Sequence, residues 1–155
     1  MEKVDLYKDL EQQAHSLLEG ERDPYANAAN FTALIWQTLP DINWVGFYFR
    51  KARWLVLGPF QGKPACSRLQ MGAGVCGTAA AKAKTLVVPD VHNFDGHIAC
   101  DEASNSELVV PLQKFGTVIG VLDLDSPLFN RFDDNDARGI EALARFWVVS
   151  SADLP

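Results

Sequence analysis

Long apolar runs and an export signal are both missing from this sequence. The longest apolar stretches fall far short of the roughly 20 residues that a membrane-spanning helix needs. The opening residues, MEKVD, contain neither the apolar core nor the small-residue cleavage site of a secretory signal peptide. We therefore expect no membrane-spanning segment and a cytoplasmic location, in a compartment where thiols stay reduced.

Clustered positive charge is also lacking. Asp and Glu number 20 against 14 Lys and Arg, which gives a formal net charge of −6. Nucleic acids and anionic membranes are bound through clustered Lys and Arg, so neither is expected as a main partner. With 155 residues, 48% of them apolar and 22% charged, we expect one domain over residues 1–155 with a full hydrophobic core.

Cysteine is scarce, and the chain has no C-x-x-C pair. The three cysteines are Cys66, Cys76 and Cys100. An odd number in a reducing compartment argues against a structural disulfide framework and favours reactive or metal-binding thiols, although some could be small buried hydrophobes. A zinc site that combined them with His92 or His97 would lack the short ligand spacing typical of such sites, so we predict no bound metal.

The remaining pattern predicts an α+β fold. Apolar periodicity and capping residues predict helices over residues 5–19, 24–39 and 72–84, and from residue 133 towards the end of the chain. Runs rich in β-branched and aromatic residues predict strands over residues 44–50, 54–57, 65–69, 85–91, 107–113 and 117–125. Because consecutive strands form hairpins, we expect a central, mostly antiparallel β-sheet flanked by the N- and C-terminal helices.

A polar segment over residues 90–108 lies between two of the predicted strands and is too long for a hairpin turn. Long loops inside compact domains are uncommon and often functional. Cys100 stands in this segment, flanked by Asp101 and followed by Glu107, and we interpret it as a redox nucleophile. Cys76 lies in a Gly-rich turn at the start of a short helix, where backbone N–H groups are expected to lower its pKa.

Acidic residues cluster on the last predicted hairpin. Strand alternation places Asp123 and Asp125 on one face, together with the apolar Ile119. A three-residue loop over 114–116 would put Glu107 opposite Asp123. Three carboxylates on a half-covered face would have raised pKa values. Such a cluster binds a cation, either an ammonium group or a metal, or supplies a general acid.

Five segments carry a family resemblance across essentially the whole chain. They are GPFQGKPAC (58–66), GVCGT (74–78), GHIACD (96–101), SELVVPL (106–112) and LDLDSP (122–127). These segments resemble the free methionine-(R)-sulfoxide reductases, a family of single GAF domains. The resemblance implies a GAF-like fold and reduction of free L-methionine (R)-S-oxide to L-methionine.

The same resemblance implies roles for the thiols. By position, Cys100 is the nucleophile, Cys66 the resolving thiol and Cys76 a third redox-competent thiol. Which of Cys100 and Cys76 attacks first stays open. The implied cycle passes through a cysteine sulfenic acid and an intramolecular disulfide, which thioredoxin or another dithiol reduces. No bound cofactor is implied, and a homodimer stays open.

A substrate site follows from the resemblance as well. Glu107, Asp123 and Asp125 match substrate-binding acids that would hold an α-ammonium group, and Glu107 is also the candidate catalytic acid. Trp44 matches an aromatic wall against the S-methyl group. The chain departs from the family pattern at Ala73, where Arg is frequent and would contact the substrate carboxylate, and at residue 95, where Pro is frequent.

Two other functions remain as alternatives. A stand-alone GAF domain that senses a nucleotide or an amino acid is the first, because residues 93–95 faintly resemble a nucleotide-binding signature. A zinc-binding interaction module is the second. A thiol-dependent turnover assay together with a metal assay separates these alternatives from the reductase.

Overall fold

The computed structural model describes residues 1–98, 100 and 102–155, so Ala99 and Asp101 lie outside the described part. The described residues form four α-helices, namely α1 (Lys3–Leu18), α2 (Pro24–Thr38), α3 (Gly74–Lys82) and α4 (Asp134–Ser150). They also form six strands, namely β1 (Trp44–Lys51), β2 (Trp54–Gly62), β3 (Arg68–Gln70), β4 (Leu86–Val88), β5 (Ser106–Lys114) and β6 (Thr117–Ser126). The predicted order of helices and strands is confirmed.

Local capping signals explain where two of the helices begin. The Asp23 side chain accepts hydrogen bonds from the backbone N–H groups of Tyr25 and Ala26, both at 2.9 Å, and Pro24 occupies the first turn of α2. Asp133 and Asp136 form a reciprocal capping box at the start of α4. Both arrangements satisfy N–H groups that a helix start leaves unpaired.

The six strands form one sheet in the order β3-β2-β1-β6-β5-β4, and every pair of neighbours is antiparallel. One face of the sheet packs against α1, α2 and α4 through a core that includes Phe47, Leu122, Leu124 and Trp147. The opposite face carries a second apolar cluster, which includes Val109 and Val121 and is covered by α3. The predicted sheet with flanking terminal helices is therefore confirmed.

The β5–β6 hairpin differs from its predicted register. Phe115 and Gly116 form a two-residue turn with φ values of 51° and 78°, and Lys114 pairs with Thr117. Positive φ at both central residues is the requirement of a type I′ hairpin turn, which matches the twist of the strands. The expected three-residue loop over 114–116 is therefore wrong.

A bulge in the same hairpin completes the correction. The register shifts between Leu112 and Gln113, and Ile119 is left without a partner there. Ile119 packs against the helix-side core, and the prediction that it shares the face of the acids is wrong. Glu107 pairs with Asp125, not with Asp123. Because the net shift is two residues, all three carboxylates still lie on one face.

Several strand ends also differ from the sequence prediction. β2 continues to Gly62 through a stretch predicted as loop, because it stays paired with β1. β3 is only three residues long, so Cys66 precedes it. β4 is shorter than predicted and is followed by a 3-10 turn over Val91–Asn93. No helix within the described residues is long and apolar enough to cross a membrane.

Candidate active site

A pocket opens on the face of the sheet that α3 covers. Its floor is formed by β1, β5 and β6, one wall by the start of α3, and another wall by the loop after β4. The residues that line the pocket come from these elements, from β3 and from the segment before it. They are Trp44, Tyr48, Pro64, Ala65, Leu69, Ala73, Gly74, Val75, Cys76, His97, Ile98, Cys100, Ser104, Glu107, Asp123 and Asp125.

The three predicted acids meet at the floor of this pocket. Glu107 projects from β5 and is 6% exposed, while Asp123 projects from β6 and is 5% exposed. Asp125 lies directly across from Glu107 and also lines the pocket. The structure therefore brings together the carboxylates that the sequence placed on one face, although their pairing differs.

Burial dominates the electrostatics of these acids. Loss of solvent raises the pKa of Glu107 well above its ordinary range, and the charge of Asp123 raises it further. The pKa of Asp123 rises from 3.8 to about 8, again mainly through burial and then through repulsion by Asp125. Hydrogen bonds from Glu107 and Cys76 oppose this rise. The floor therefore holds protons at neutral pH.

Cys76 lies beside the acids on the first turn of α3. Its Sγ atom is 3.8 Å from Oε2 of Glu107, and its side chain is buried. Burial raises the pKa of the Cys76 thiol, and the neighbouring carboxylates, led by Asp123, raise it further. The prediction that the helix start lowers this pKa is therefore wrong, because desolvation and three acids outweigh the nearby N–H groups.

The other two cysteines form a disulfide. Cys66 and Cys100 are bonded across 34 residues of sequence, with their Cα atoms 5.6 Å apart. The bond joins the segment before β3 to the loop after β4, and Cys100 lines the pocket. The zinc alternative required these sulfurs as ligands together with Cys76, and the structure does not bring that set together. Asp101, which the sequence placed beside Cys100, lies outside the described residues.

Asn105 anchors the end of the loop that carries Cys100. Its side-chain amide donates to the carbonyl oxygen of Pro127 at 2.7 Å, and its Oδ1 contacts Nε2 of His92 at 2.9 Å. Its backbone N–H donates to Ser126 at 2.8 Å, and its carbonyl accepts from Val91 at 2.9 Å. His92 therefore orders the loop, whereas His97 lines the pocket.

An aromatic wall closes the pocket on the side of β1. The Trp44 indole N–H donates to the carbonyl oxygen of Lys63 at 3.1 Å, which fixes the ring. The ring stacks on Tyr48 at 5.9 Å and on Phe60 at 5.4 Å between centroids. Gly46 is required here, because a Cβ at this position would overlap Trp44. Trp44 thus contributes a buried aromatic side chain to the pocket lining, held between two other rings.

Tyr48 was not singled out from the sequence. Its hydroxyl donates to the carbonyl oxygen of Cys66 at 2.8 Å, and burial raises the pKa of Tyr48 so that it stays a neutral donor. The signal was available, because Trp44 and Tyr48 are four residues apart on one strand and therefore share a face.

Among the residues that the structure describes, one set of side chains could hold a metal ion. Ligand atoms of Cys76, Glu107 and Asp123 all lie within 4.8 Å of one another. This set shares only Cys76 with the zinc site considered from the sequence. Thiolate and carboxylate ligands together suit a borderline-soft cation such as Zn²⁺.

The sequence and the structure of this chain are similar to those of known proteins. The GAF domain family matches residues 9–149. Free methionine-R-sulfoxide reductase of Escherichia coli (strain K12) is 52% identical over 143 residues, which cover 92% of this chain and 87% of that protein. The structure of fRMsr of Staphylococcus aureus in its reduced form is 50% identical, with a TM-score of 0.90 and coverage of 93% of this chain and 94% of that chain.

A third relative is known with its substrate bound. The structure of free methionine-R-sulfoxide reductase from Neisseria meningitidis in complex with its substrate is 43% identical, with a TM-score of 0.94 and coverage of 97% of this chain and 90% of that chain. Fold and matched residues thus define the chain as a GAF domain. Within that class, the chain belongs to the free methionine-R-sulfoxide reductase family.

Proposed function

We propose that this protein reduces free L-methionine (R)-S-oxide to L-methionine, and that residues 1–155 act as a single GAF domain in doing so. One observation carries the proposal. Cys66 and Cys100 form a disulfide beside a pocket, and three acidic side chains form the floor of that pocket. A redox-active cysteine pair beside an ammonium-binding floor suits an oxidised, free amino acid. The names of the relatives, one of them solved with its substrate, support the same reaction.

The proposed cycle starts from the reduced protein. The Cys100 thiolate attacks the sulfoxide sulfur while an acid protonates the oxygen, and methionine leaves behind a Cys100 sulfenic acid. Cys66 then attacks the sulfenic sulfur and releases water, which forms the Cys66–Cys100 disulfide. The pairing of these two cysteines in the structure is the product that this sequence of steps requires.

Glu107 is the proposed acid. It is 6% exposed, and burial raises its pKa, which favours the protonated form. A protonated carboxylic acid facing the pocket can supply the proton that the departing oxygen takes up. The charge of Asp123 and its hydrogen bond to Glu107 raise this pKa further and so favour the protonated acid.

The two ends of an amino acid find complementary groups in the pocket. Asp123 and Asp125 on the floor would hold the α-ammonium group. The start of α3 also lines the pocket, and its N-cap residue Ala73 provides no side-chain cap. The first N–H groups of a helix lack intrahelical partners and attract anions, so they would face the α-carboxylate. Trp44 would contact the S-methyl group.

The disulfide must be reduced for another turnover. We propose thioredoxin, or another small dithiol, as the electron donor, acting by thiol–disulfide exchange. Cys100 lines the pocket, and both cysteines are half-buried. A reducing compartment such as the cytoplasm, where such dithiols are kept reduced, fits this cycle.

Turnover of the separate epimers tests the proposal. The purified protein is incubated with dithiothreitol and one free methionine sulfoxide epimer at a time. Chiral chromatography then measures the remaining epimer and the methionine formed. We expect the (R) epimer to be consumed and the (S) epimer to remain. Equal consumption of both epimers, or none of either, would refute the proposed reaction.

N-acetyl-methionine sulfoxide serves as the matched control for the ammonium site. Acetylation removes the positive charge and one or more charge-assisted hydrogen bonds, each worth about 1.5–3 kcal/mol. The expected loss in kcat/KM is therefore about tenfold or more. If the acetylated compound reacted as fast as the free amino acid, the acids would not be an ammonium site.

A further inference from the structure

Cys76, which has no role in the proposed reductase cycle, meets Glu107 and Asp123 at the floor of the pocket. The ligand atoms of Cys76, Glu107 and Asp123 lie within 4.8 Å of one another. The distance from Cys76 Sγ to Glu107 Oε2 is 3.8 Å. Bond lengths of about 2.3 Å to sulfur and about 2.0 Å to oxygen give a tetrahedral edge of about 3.5 Å. The pair is therefore a few tenths of an ångström from the spacing that a zinc ion imposes.

Asp123 supplies a second, independent observation. Its Oδ1 atom is buried and has no hydrogen-bond partner among the described residues, and the whole residue is 5% exposed. A buried acceptor without a partner costs about 1–3 kcal/mol, and more when it is charged. Such atoms are rare in native structures and call for an explanation, an ion being one.

We propose that Cys76, Glu107 and Asp123 bind a thiophilic divalent cation, Zn²⁺ foremost, and that this cation excludes the ammonium group of the substrate. The exclusion rests on the function proposed above, whereas the cation binding does not. One thiolate and two carboxylates provide three ligands, and all three residues line the pocket. Mg²⁺ and Ca²⁺ prefer oxygen-only ligand sets, so the thiol selects against them.

Charge explains why the two ligands cannot bind together. A cation between the acids neutralises Glu107 and Asp123 and takes up the oxygen atoms that would accept hydrogen bonds from the α-ammonium group. Cys76 gives up its proton on binding, because the thiolate is the metal ligand. The cation would thus act as a reversible, competitive inhibitor.

Binding is measured with Co²⁺ as a spectroscopic substitute for Zn²⁺. The protein is used in its disulfide form, in which Cys76 is the free thiol among the described residues and Cys66 and Cys100 cannot act as thiolate ligands. We expect one Co²⁺ per chain with a thiolate-to-cobalt charge-transfer band, and displacement of Co²⁺ by Zn²⁺. Absence of the band would overturn the proposal.

Variants identify the ligands. Loss of a group outside the coordination sphere already costs about 10–100-fold in metal affinity, so Cys76→Ser should cost at least about 100-fold and abolish the charge-transfer band. Asp123→Asn should keep the band and weaken binding strongly. Glu102→Gln is the matched control, since this acid is exposed in the loop near the pocket, and it should bind as the native protein does. Circular dichroism checks that each variant is folded. A band that persists in Cys76→Ser, or unchanged affinity in Asp123→Asn, would overturn the assignment.

Competition is tested with L-methionine, which has the ammonium group but no sulfoxide to reduce. Its addition should raise the apparent Kd for Co²⁺ in proportion to its concentration, and Zn²⁺ should raise KM for the sulfoxide without changing kcat. An apparent Kd independent of L-methionine would overturn the exclusion. A cobalt band together with no turnover of either sulfoxide epimer would support the cation site and refute only the proposed function.

Discussion

Replacing Asp123 by asparagine isolates the effect of one buried carboxyl group on stability. Asn has nearly the same shape and no charge, and Asp123 is 5% exposed, so the change acts on an almost fully buried group. Burial, with repulsion by Asp125, raises the pKa of Asp123 from 3.8 to about 8. At a pH between these two pKa values, the folded protein holds a proton at Asp123 that the unfolded chain has released.

The direction of the pH dependence follows from this difference. A folded-state pKa above the unfolded value means that the contribution of Asp123 to stability is fully present below about pH 4. It is lost as the pH rises towards about 8, because the unfolded chain is favoured by proton release. Each pH unit in this window should cost about 1.4 kcal/mol per proton. From pH 5 to pH 7, the native protein should therefore lose about 3 kcal/mol relative to Asp123→Asn.

Urea unfolding of the disulfide form at pH 5, 6 and 7 measures the effect. The free energy of unfolding of Asp123→Asn, compared with the native protein, should rise steadily with pH. Asp9→Asn, at an exposed position on α1, is the matched control for the loss of one negative charge. If the native protein and Asp123→Asn gave parallel lines over this range, Asp123 would be ionised in the folded protein and the reasoning from burial would fail.

Three further predictions address the thiols, the aromatic wall and the hairpin turn. Cys100→Ser should abolish turnover, while Cys66→Ser should release one methionine per chain and retain a sulfenic acid that dimedone traps. If Cys100→Ser still released one methionine per chain, Cys76 would be the attacking thiol. Gly46→Ala should displace the Trp44 ring, which its Cβ would overlap, and raise KM at least about tenfold; an unchanged KM would remove Trp44 from the substrate site. Phe115→Asn should stabilise the protein by up to about 1 kcal/mol in urea unfolding, because Phe115 has φ 51° and asparagine tolerates that conformation better; a loss of stability would contradict this.

The sequence was sufficient to predict which residues share a face, because alternation along a strand is a local property. Asp123 and Asp125 are two residues apart on β6, and any register of the hairpin with an even shift keeps Glu107 on their side. The order of helices and strands was also predictable, since periodicity and caps such as Asp23 mark the ends of elements. These features depend on neighbours along the chain.

Register and ionisation could not be predicted in the same way. The bulge at Ile119 depends on two things at once, the two-residue Phe115–Gly116 turn and the packing on both faces of the sheet. The raised pKa of Cys76 depends first on burial and then on acids from β5 and β6, which meet its side chain only in the folded protein. Reasoning from the Gly-rich helix start alone therefore gave the wrong direction for Cys76.

The acids and the thiol at the pocket floor have one physical property in common, which links the proposed reaction with the proposed cation site. Burial raises the pKa of Glu107, Asp123 and Cys76, so the free protein keeps these groups largely protonated. An ammonium group that enters the pocket favours ionisation of the nearest carboxyls, because opposite charges in a poorly hydrated site attract strongly. Glu107, as the acid that stays protonated, would then donate its proton to the sulfoxide oxygen. Zn²⁺ bound to the same oxygen atoms would exclude the ammonium group, so the floor would be both the source of acid and the point at which a cation can stop the reaction.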